Sequence, residues 1–231
     1  MEYLFSPAGN HEDYSSGRVI YGGKGIPNFP VRLINEIFGR ALNRLDKKDH
    51  IIVYDPCCGG AYSLTIIGFF YSGHIEKICA SDISPEMTAY ARKNLGLLKY
   101  SGLDNRLSEL KKAYEEFGKD SHREAIESVG RLREALTHEV ESEVFEADCT
   151  KALPDIKPDI IITDIPYGNL VEWEGEGALQ GMSEQLLKIS TDETIFAVSM
   201  DKSQKMCSNG WKRIEKQNIG KRRFELYKKE Q

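Results

Sequence analysis

The residues with the clearest chemical prospects in this chain are four aspartates, each closing a short run rich in β-branched and aromatic residues. The runs are Ile51-Ile52-Val53-Tyr54-Asp55, Lys77-Ile78-Cys79-Ala80-Ser81-Asp82, Glu143-Val144-Phe145-Glu146-Ala147-Asp148 and Asp159-Ile160-Ile161-Ile162-Thr163-Asp164. Read as parallel strands, they bring four carboxylates to one end of a sheet, the end at which open α/β sheets bind ligands. Asp55 leads into Pro56-Cys57-Cys58-Gly59-Gly60-Ala61, where the glycines let main chain approach a ligand closely. Asp82, followed by Ile83, is placed to accept both hydroxyls of an adenosine ribose, or to cap the helix that Ser84-Pro85 opens. Asp148, beside Cys149, can take an adenine amino group or serve as a turn acid at the surface. Asp164-Ile165-Pro166-Tyr167-Gly168 puts a carboxylate, a main-chain carbonyl and an aromatic ring within four residues. Such a set can hold a planar amine and stack on the ring that carries it.

The elements that must position these residues follow from periodicity. Short β-rich runs alternate with helical stretches, which predicts an α/β fold with a mostly parallel sheet. Helices are expected near Tyr62 to Phe70, after the Ser84-Pro85 start with Met87, Tyr90, Ala91, Leu95 and Leu98 on one face, and over Ala178 to Ile189. A fifth strand is expected at Thr194 to Ser199, and Trp211 to Tyr227 is expected to form two strands joined near Asn218-Ile219-Gly220, giving seven strands with an antiparallel ending. Residues 1–50 form an N-terminal arm and helix ahead of a domain spanning 51–231. Within that domain, residues 102–142 are expected to be an inserted helical hairpin, with Ser121 and Glu124 as a capping box for its second helix.

With 231 residues, 40% of them hydrophobic and 29% charged, the chain is long enough for one large domain with a sizeable core, and a disordered or disulfide-stapled protein is excluded. No apolar stretch is long enough to span a membrane and the N-terminus lacks an export pattern, so a cytoplasmic location is expected. Five cysteines, two of them adjacent at Cys57 and Cys58, suit neither a disulfide framework nor a zinc clip; reduced thiols and no metal are expected. The formal charge of -5 is uneven, because residues 201–231 carry ten Lys or Arg against four Asp or Glu. A second stretch, Tyr14 to Asn35, has no acids and carries Arg18, Lys24 and Arg32. Phosphate contacts are expected from Arg18, Lys24, Lys221, Arg222 and Arg223, the alternative being an ordinary arm and a solvated hairpin face.

Asp164-Ile165-Pro166-Tyr167 resembles the Asn/Asp-Pro-Pro-Tyr tetrapeptide of S-adenosylmethionine-dependent methyltransferases acting on exocyclic amines of nucleic-acid bases. A closer resemblance is carried by Phe29-Pro30-Val31-Arg32-Leu33, Asp55-Pro56-Cys57-Cys58-Gly59, Phe117-Gly118-Lys119, Arg131-Leu132-Arg133, Thr163 to Gly168 and Trp173-Glu174-Gly175. Across about residues 14 to 228 the chain is similar to the AviRa family of avilamycin-resistance ribosomal RNA methyltransferases. The resemblance implies a class I methyltransferase fold, Rossmann-like, with S-adenosylmethionine as cofactor and a guanine of 23S ribosomal RNA as substrate. It further implies a cofactor site built from Asp55, Cys57, Gly59, Gly60, Asp82, Ile83, Asp148 and Cys149, and a target-base site at Asp164, Ile165, Pro166 and Tyr167. Trp173 and Glu174, with Glu172, fall in the loop just after it and either face the base or form a solvated acidic loop. A monomer is expected.

Two departures stand out. Gly59-Gly60-Ala61 replaces an expected Gly-Ser-Gly, with Ala61 expected in the first helical turn, and Ile165 replaces the first proline of the tetrapeptide. Competing functions are weighed on the same residues. A dinucleotide oxidoreductase would share the turn and Asp82 but gives no reason for Asp-Ile-Pro-Tyr. A pyrimidine C5-methyltransferase needs a cysteine where Tyr167 stands. Amine methylation of DNA adenine or of a protein glutamine, and a non-catalytic RNA-binding module of the same fold, remain as alternatives.

Overall fold

In the computed structural model, which describes residues 1–23, 28–165, 177–206 and 209–230, the β-rich runs pair into one seven-stranded sheet. The strands are β1 (Ile51–Asp55), β2 (Ile75–Asp82), β3 (Glu141–Glu146), β4 (Ile160–Asp164), β5 (Ile195–Asp201), β6 (Trp211–Ile219) and β7 (Arg222–Lys229), in the spatial order β3-β2-β1-β4-β5-β7-β6. β1 to β5 are parallel, and β7 lies antiparallel between β5 and β6. This is the seven-stranded, mostly parallel sheet with an antiparallel ending that the periodicity predicts. Strand order reverses between β1 and β4, the point at which such sheets open a crevice. Asp55 and Asp164 are the last residues of these two strands.

The central strands read as unbroken apolar runs because both of their faces are covered. Val53, Ile160, Ile162 and Ala197 face one core with Phe38, Leu64, Ile67 and Leu95, while Tyr54, Ile161, Phe196 and Val198 face another with Met182, Leu186, Trp211 and Tyr227. The first layer is built by α1 (Val31–Arg44), α2 (Tyr62–Tyr71), α3 (Pro85–Gly96), α4 (Tyr100–Phe117) and α5 (Asp120–Ala135), and the second includes α6 (Ala178–Ile189). Edge strand β3 keeps Glu141, Ser142 and Glu143 exposed, and charge on an edge discourages pairing with other chains. Among the described residues no helix is long and apolar enough to cross a membrane.

Three local expectations are corrected. β3 ends at Glu146, not Asp148, because Glu146 pairs with Asp82, the last residue of β2, and the ladder has no further partner. Ser121 and Glu124 form no capping box: Gly118, left-handed at φ 61°, ends α4 so abruptly that α5 starts at Asp120 behind Lys119, with no side-chain cap. Ala61 lies outside the first turn of α2; it is the residue before it, left-handed at φ 55°, a conformation that costs a non-glycine residue about 1 kcal/mol.

The hairpin of α4 and α5 grips the N-terminal arm. Arg131 donates to both oxygens of Asp13 (2.7 and 2.8 Å), Arg18 pairs with Glu124 (2.8 Å), Arg106 donates to the carbonyls of Arg18 and Val19 (3.1 and 3.0 Å), and Tyr21 Oη donates to Glu109 (2.9 Å). The extreme N-terminus is tied to α1, where buried Glu36 accepts from the main-chain nitrogens of Leu4, Phe5 and Ser6 and from Arg40.

Candidate active site

The crevice starts from Asp55, which is 5% exposed and accepts the Cys57 main-chain N–H (3.0 Å). Burial raises its pKa to about 7 against the Cys57 N–H and the Thr163 hydroxyl, and the nearby charges of Asp82 and Asp164 push the same way as burial. The turn after it is pinned from three sides. Cys58 N donates to Ser81 O (2.9 Å), Gly59 N to Asp82 Oδ2 (2.8 Å), and Asn94 Nδ2 to Gly60 O (2.8 Å). Gly59 adopts φ 51°, and a Cβ there would meet no atom within 4 Å, so the turn faces open space. Asn94 also exchanges two hydrogen bonds with the main chain of Tyr21, so one buried amide fastens arm, turn and α3 together.

Asp82 serves as local cap as well as candidate ligand, since its second oxygen accepts Ser84 N (2.9 Å) while Ser84 Oγ caps α3. Each carboxylate oxygen carries two acceptor positions, so both oxygens can still accept a ribose hydroxyl. Ile83 beside it is 68% exposed, an apolar platform at the crevice mouth. Asp148 stands beyond β3 with Oδ1 accepting from Thr150 N and Oγ1 (3.0 and 2.6 Å) and Oδ2 paired to Lys151 (3.0 Å). The Thr150 hydroxyl and amide, with Lys151, hold its pKa below the ordinary value. Cys149 Sγ lies 3.5 Å from Cys57 Sγ, so the first and third strand ends meet through their cysteines. That contact, burial and the adjacent carboxylates push the Cys57 thiol well up, which keeps it protonated and a poor nucleophile.

At the other side of the crevice Asp164, 31% exposed, is held by Arg222, whose Nη1 donates to both of its oxygens (3.0 and 3.2 Å). The Arg222 guanidinium lies over the Phe29 ring, 4.8 Å from its centroid. Burial raises the Asp164 pKa, with the positive charge of Arg222 opposing it. Ile165 is buried and donates its main-chain N–H to Ser199 O (2.8 Å), which fixes where the chain leaves β4. Pro166, Tyr167, Glu172, Trp173, Glu174 and Lys24 lie outside the described residues.

Three of the expected phosphate contacts are engaged by protein groups, Arg222 by Asp164 and two others elsewhere. Arg223 is folded inward onto Gln204 O and Glu225, because β7 turns it toward the sheet. Arg18 is held by Glu12 and Glu124 against the hairpin. Lys221 is exposed, and its carbonyl accepts Lys202 N (3.1 Å), which sets Lys202 beside it on the rim, with exposed Lys205 three residues on. The net positive tail signalled a basic patch here, but of these lysines only Lys221 was expected as a phosphate contact. Asn94 was missed, although an asparagine between Ala91 and Leu95 on the buried face of α3 is a readable anomaly. The joint position of Phe29, Asp164 and Arg222 leaves no local signal, since it joins residues far apart in the chain.

Comparison with known proteins agrees over nearly the full length. The family described as rRNA methyltransferase AviRa matches residues 1–222. A relative from Streptomyces viridochromogenes, named 23S rRNA (guanine(2535)-N(1))-methyltransferase, is 37% identical over 222 residues, covering 91% of this chain and 88% of its own. The solved rRNA methyltransferase AviRa of that organism superposes with a TM-score of 0.88 at 32% identity, covering 96% of this chain and 94% of its own. A Pyrococcus horikoshii structure titled a putative RNA methyltransferase, at 11% identity and TM-score 0.55 over 87% of this chain and 85% of its own, shares the fold alone. With its sheet order, its crevice at the β1/β4 switch and this match over residues 1–222, the chain belongs to the AviRa family of ribosomal RNA methyltransferases.

Proposed function

We propose that this protein transfers one methyl group from S-adenosylmethionine to N1 of a guanine in 23S ribosomal RNA, acting in the cytoplasm. The observation that carries the reading is a half-buried, arginine-held carboxylate at the end of β4, the strand paired to the one that leads into the glycine turn, in a chain 37% identical to a relative named for that reaction. The residues present fit the cofactor: an open-faced turn at Asp55, Cys57, Gly59 and Gly60, the Asp82 carboxylate for the ribose, and Ile83, Asp148 and Cys149 at the adenine end. When bound, the cofactor supplies an electrophilic methyl group on a sulfonium.

The chain's own residues do the rest. Asp164 accepts hydrogen bonds from the target base and takes a proton from it, and Tyr167 stacks on the base once it is out of its helix. In the sequence Ile165 and Pro166 separate Asp164 from Tyr167. Lys202, Lys205 and Lys221 hold RNA phosphates on the rim beside the crevice. Most of the catalysis is then alignment of the base for in-line displacement.

Purified large-subunit RNA from cells lacking the protein, incubated with enzyme and labelled S-adenosylmethionine, should yield 1-methylguanosine on nucleoside mass spectrometry. A labelled methyladenosine, label on protein, or cofactor binding without transfer to RNA would overturn the reading.

A further inference from the structure

Arg222 does more than balance Asp164. It opens β7 opposite Asp201 of β5, its side chain is 22% exposed, and its guanidinium is gripped between the Asp164 carboxylate and the Phe29 ring. A guanidinium carries five N–H donors in a fixed plane, enough to hold a carboxylate and reach a base oxygen together. The pairing edge of guanine presents an acceptor at O6, then donors at N1–H and the 2-amino group. Its complement is one donor and two acceptors, the group types that the Arg222 guanidinium and the Asp164 carboxylate supply, with Arg222 Nη1 donating to both Asp164 oxygens in this structure. Adenine would set its 6-amino group against the arginine and its N1 lone pair against the carboxylate, two unpaired contacts in a half-buried site.

We propose that Arg222 reads O6 of the target guanine and holds the negative charge that gathers there as N1 loses its proton. The inference rests on the guanine-N1 reading above. N1 of neutral guanine carries a proton and has no free lone pair in the ring plane. The proton passes to an Asp164 oxygen, N1 forms its bond to the methyl carbon, and the methyl carbon's bond to sulfur breaks with the electron pair passing to sulfur. Charge spread over N1, C6 and O6 during the transfer falls beside the guanidinium, and is neutralised when the N1–carbon bond is complete. Arg222 from β7 pairs with Asp164, and the charge of Asp164 also bears on Asp55 at the end of β1. Arg222 is thereby a catalytic residue and the group that separates guanine from adenine.

The test is single-turnover methylation of large-subunit RNA by wild type, Arg222→Gln and Arg222→Lys across pH, with cofactor affinity and melting temperature measured alongside. Arg222→Gln should lose about a hundredfold to a thousandfold in rate at neutral pH. Its rate should then climb about tenfold per pH unit toward alkaline pH, where solvent base supplies the N1 anion, while wild type levels off. Arg222→Lys, which keeps the charge without the fork, should lose less and climb less; it carries the test alone if the glutamine variant does not fold. A loss equal at every pH, or activity within about twofold of wild type, overturns the role of Arg222. If the wild-type product is methyladenosine or N2-methylguanosine, the guanine-N1 reading fails first and takes this inference with it.

Discussion

Asp164 is held at a balance that suits a base: burial favours its proton and Arg222 favours its charge. Replacing it by alanine should cut methyl transfer by about a hundredfold to ten-thousandfold. Cofactor affinity, read by calorimetry, should change little, because Asp164 lies on β4 outside the glycine turn. Asp55 gives a different handle. Its pKa in the fold is about 7 against 3.8 for the free group, because burial penalises its charge. The folded protein therefore binds more protons than the unfolded chain between those values. The stability linked to Asp55 is fully present at acidic pH and is lost as pH rises through about 7. Asp55→Asn, which cannot ionise, should lose less stability than wild type between about pH 5 and pH 8, the difference being about 2 kcal/mol in denaturant unfolding of the ligand-free protein.

At the level of elements, α1 anchors what precedes it through Glu36, a buried carboxylate with three main-chain donors and Arg40 on it. Glu36→Ala leaves those donors and the arginine without that acceptor and should cost about 3–5 kcal/mol of stability. The first residues should then be clipped by protease well before the sheet domain, whereas Arg131→Ala, at a half-exposed pair, should shift the melting point only slightly. The strands were legible in the sequence because parallel strands covered on both faces leave continuous apolar runs, and Ser84-Pro85 declared α3 through its own chemistry. The glycine turn, Asp82 and Asp164 were legible as strand ends. Asp148 was misplaced by two residues because the end of β3 is set by where β2 stops, which no property of residues 143–148 encodes. Arg222, Arg223 and Arg18 look alike in composition. Their partners, Asp164, Glu225 and Glu124, come mostly from other elements, so only the fold tells the arginine paired at the crevice from the two paired away from it.

Across the whole molecule the charge separates. The chain is net -5, yet Lys202, Lys205 and Lys221 stand together on the rim at the carboxyl ends of the strands. If these lysines hold RNA phosphates, each alanine substitution should weaken binding with little regard to sequence and lower the slope of log affinity against log salt by about 0.7. The measurement that tests the central claim most directly uses the chemistry of the product. A methyl on guanine N1 blocks base pairing, so reverse transcription of 23S RNA stops at the modified residue. RNA from cells expressing the wild-type protein should show one new stop at a guanine, absent in cells expressing Asp164→Ala. No new stop, a stop at another base, or a stop that survives in Asp164→Ala would contradict the account.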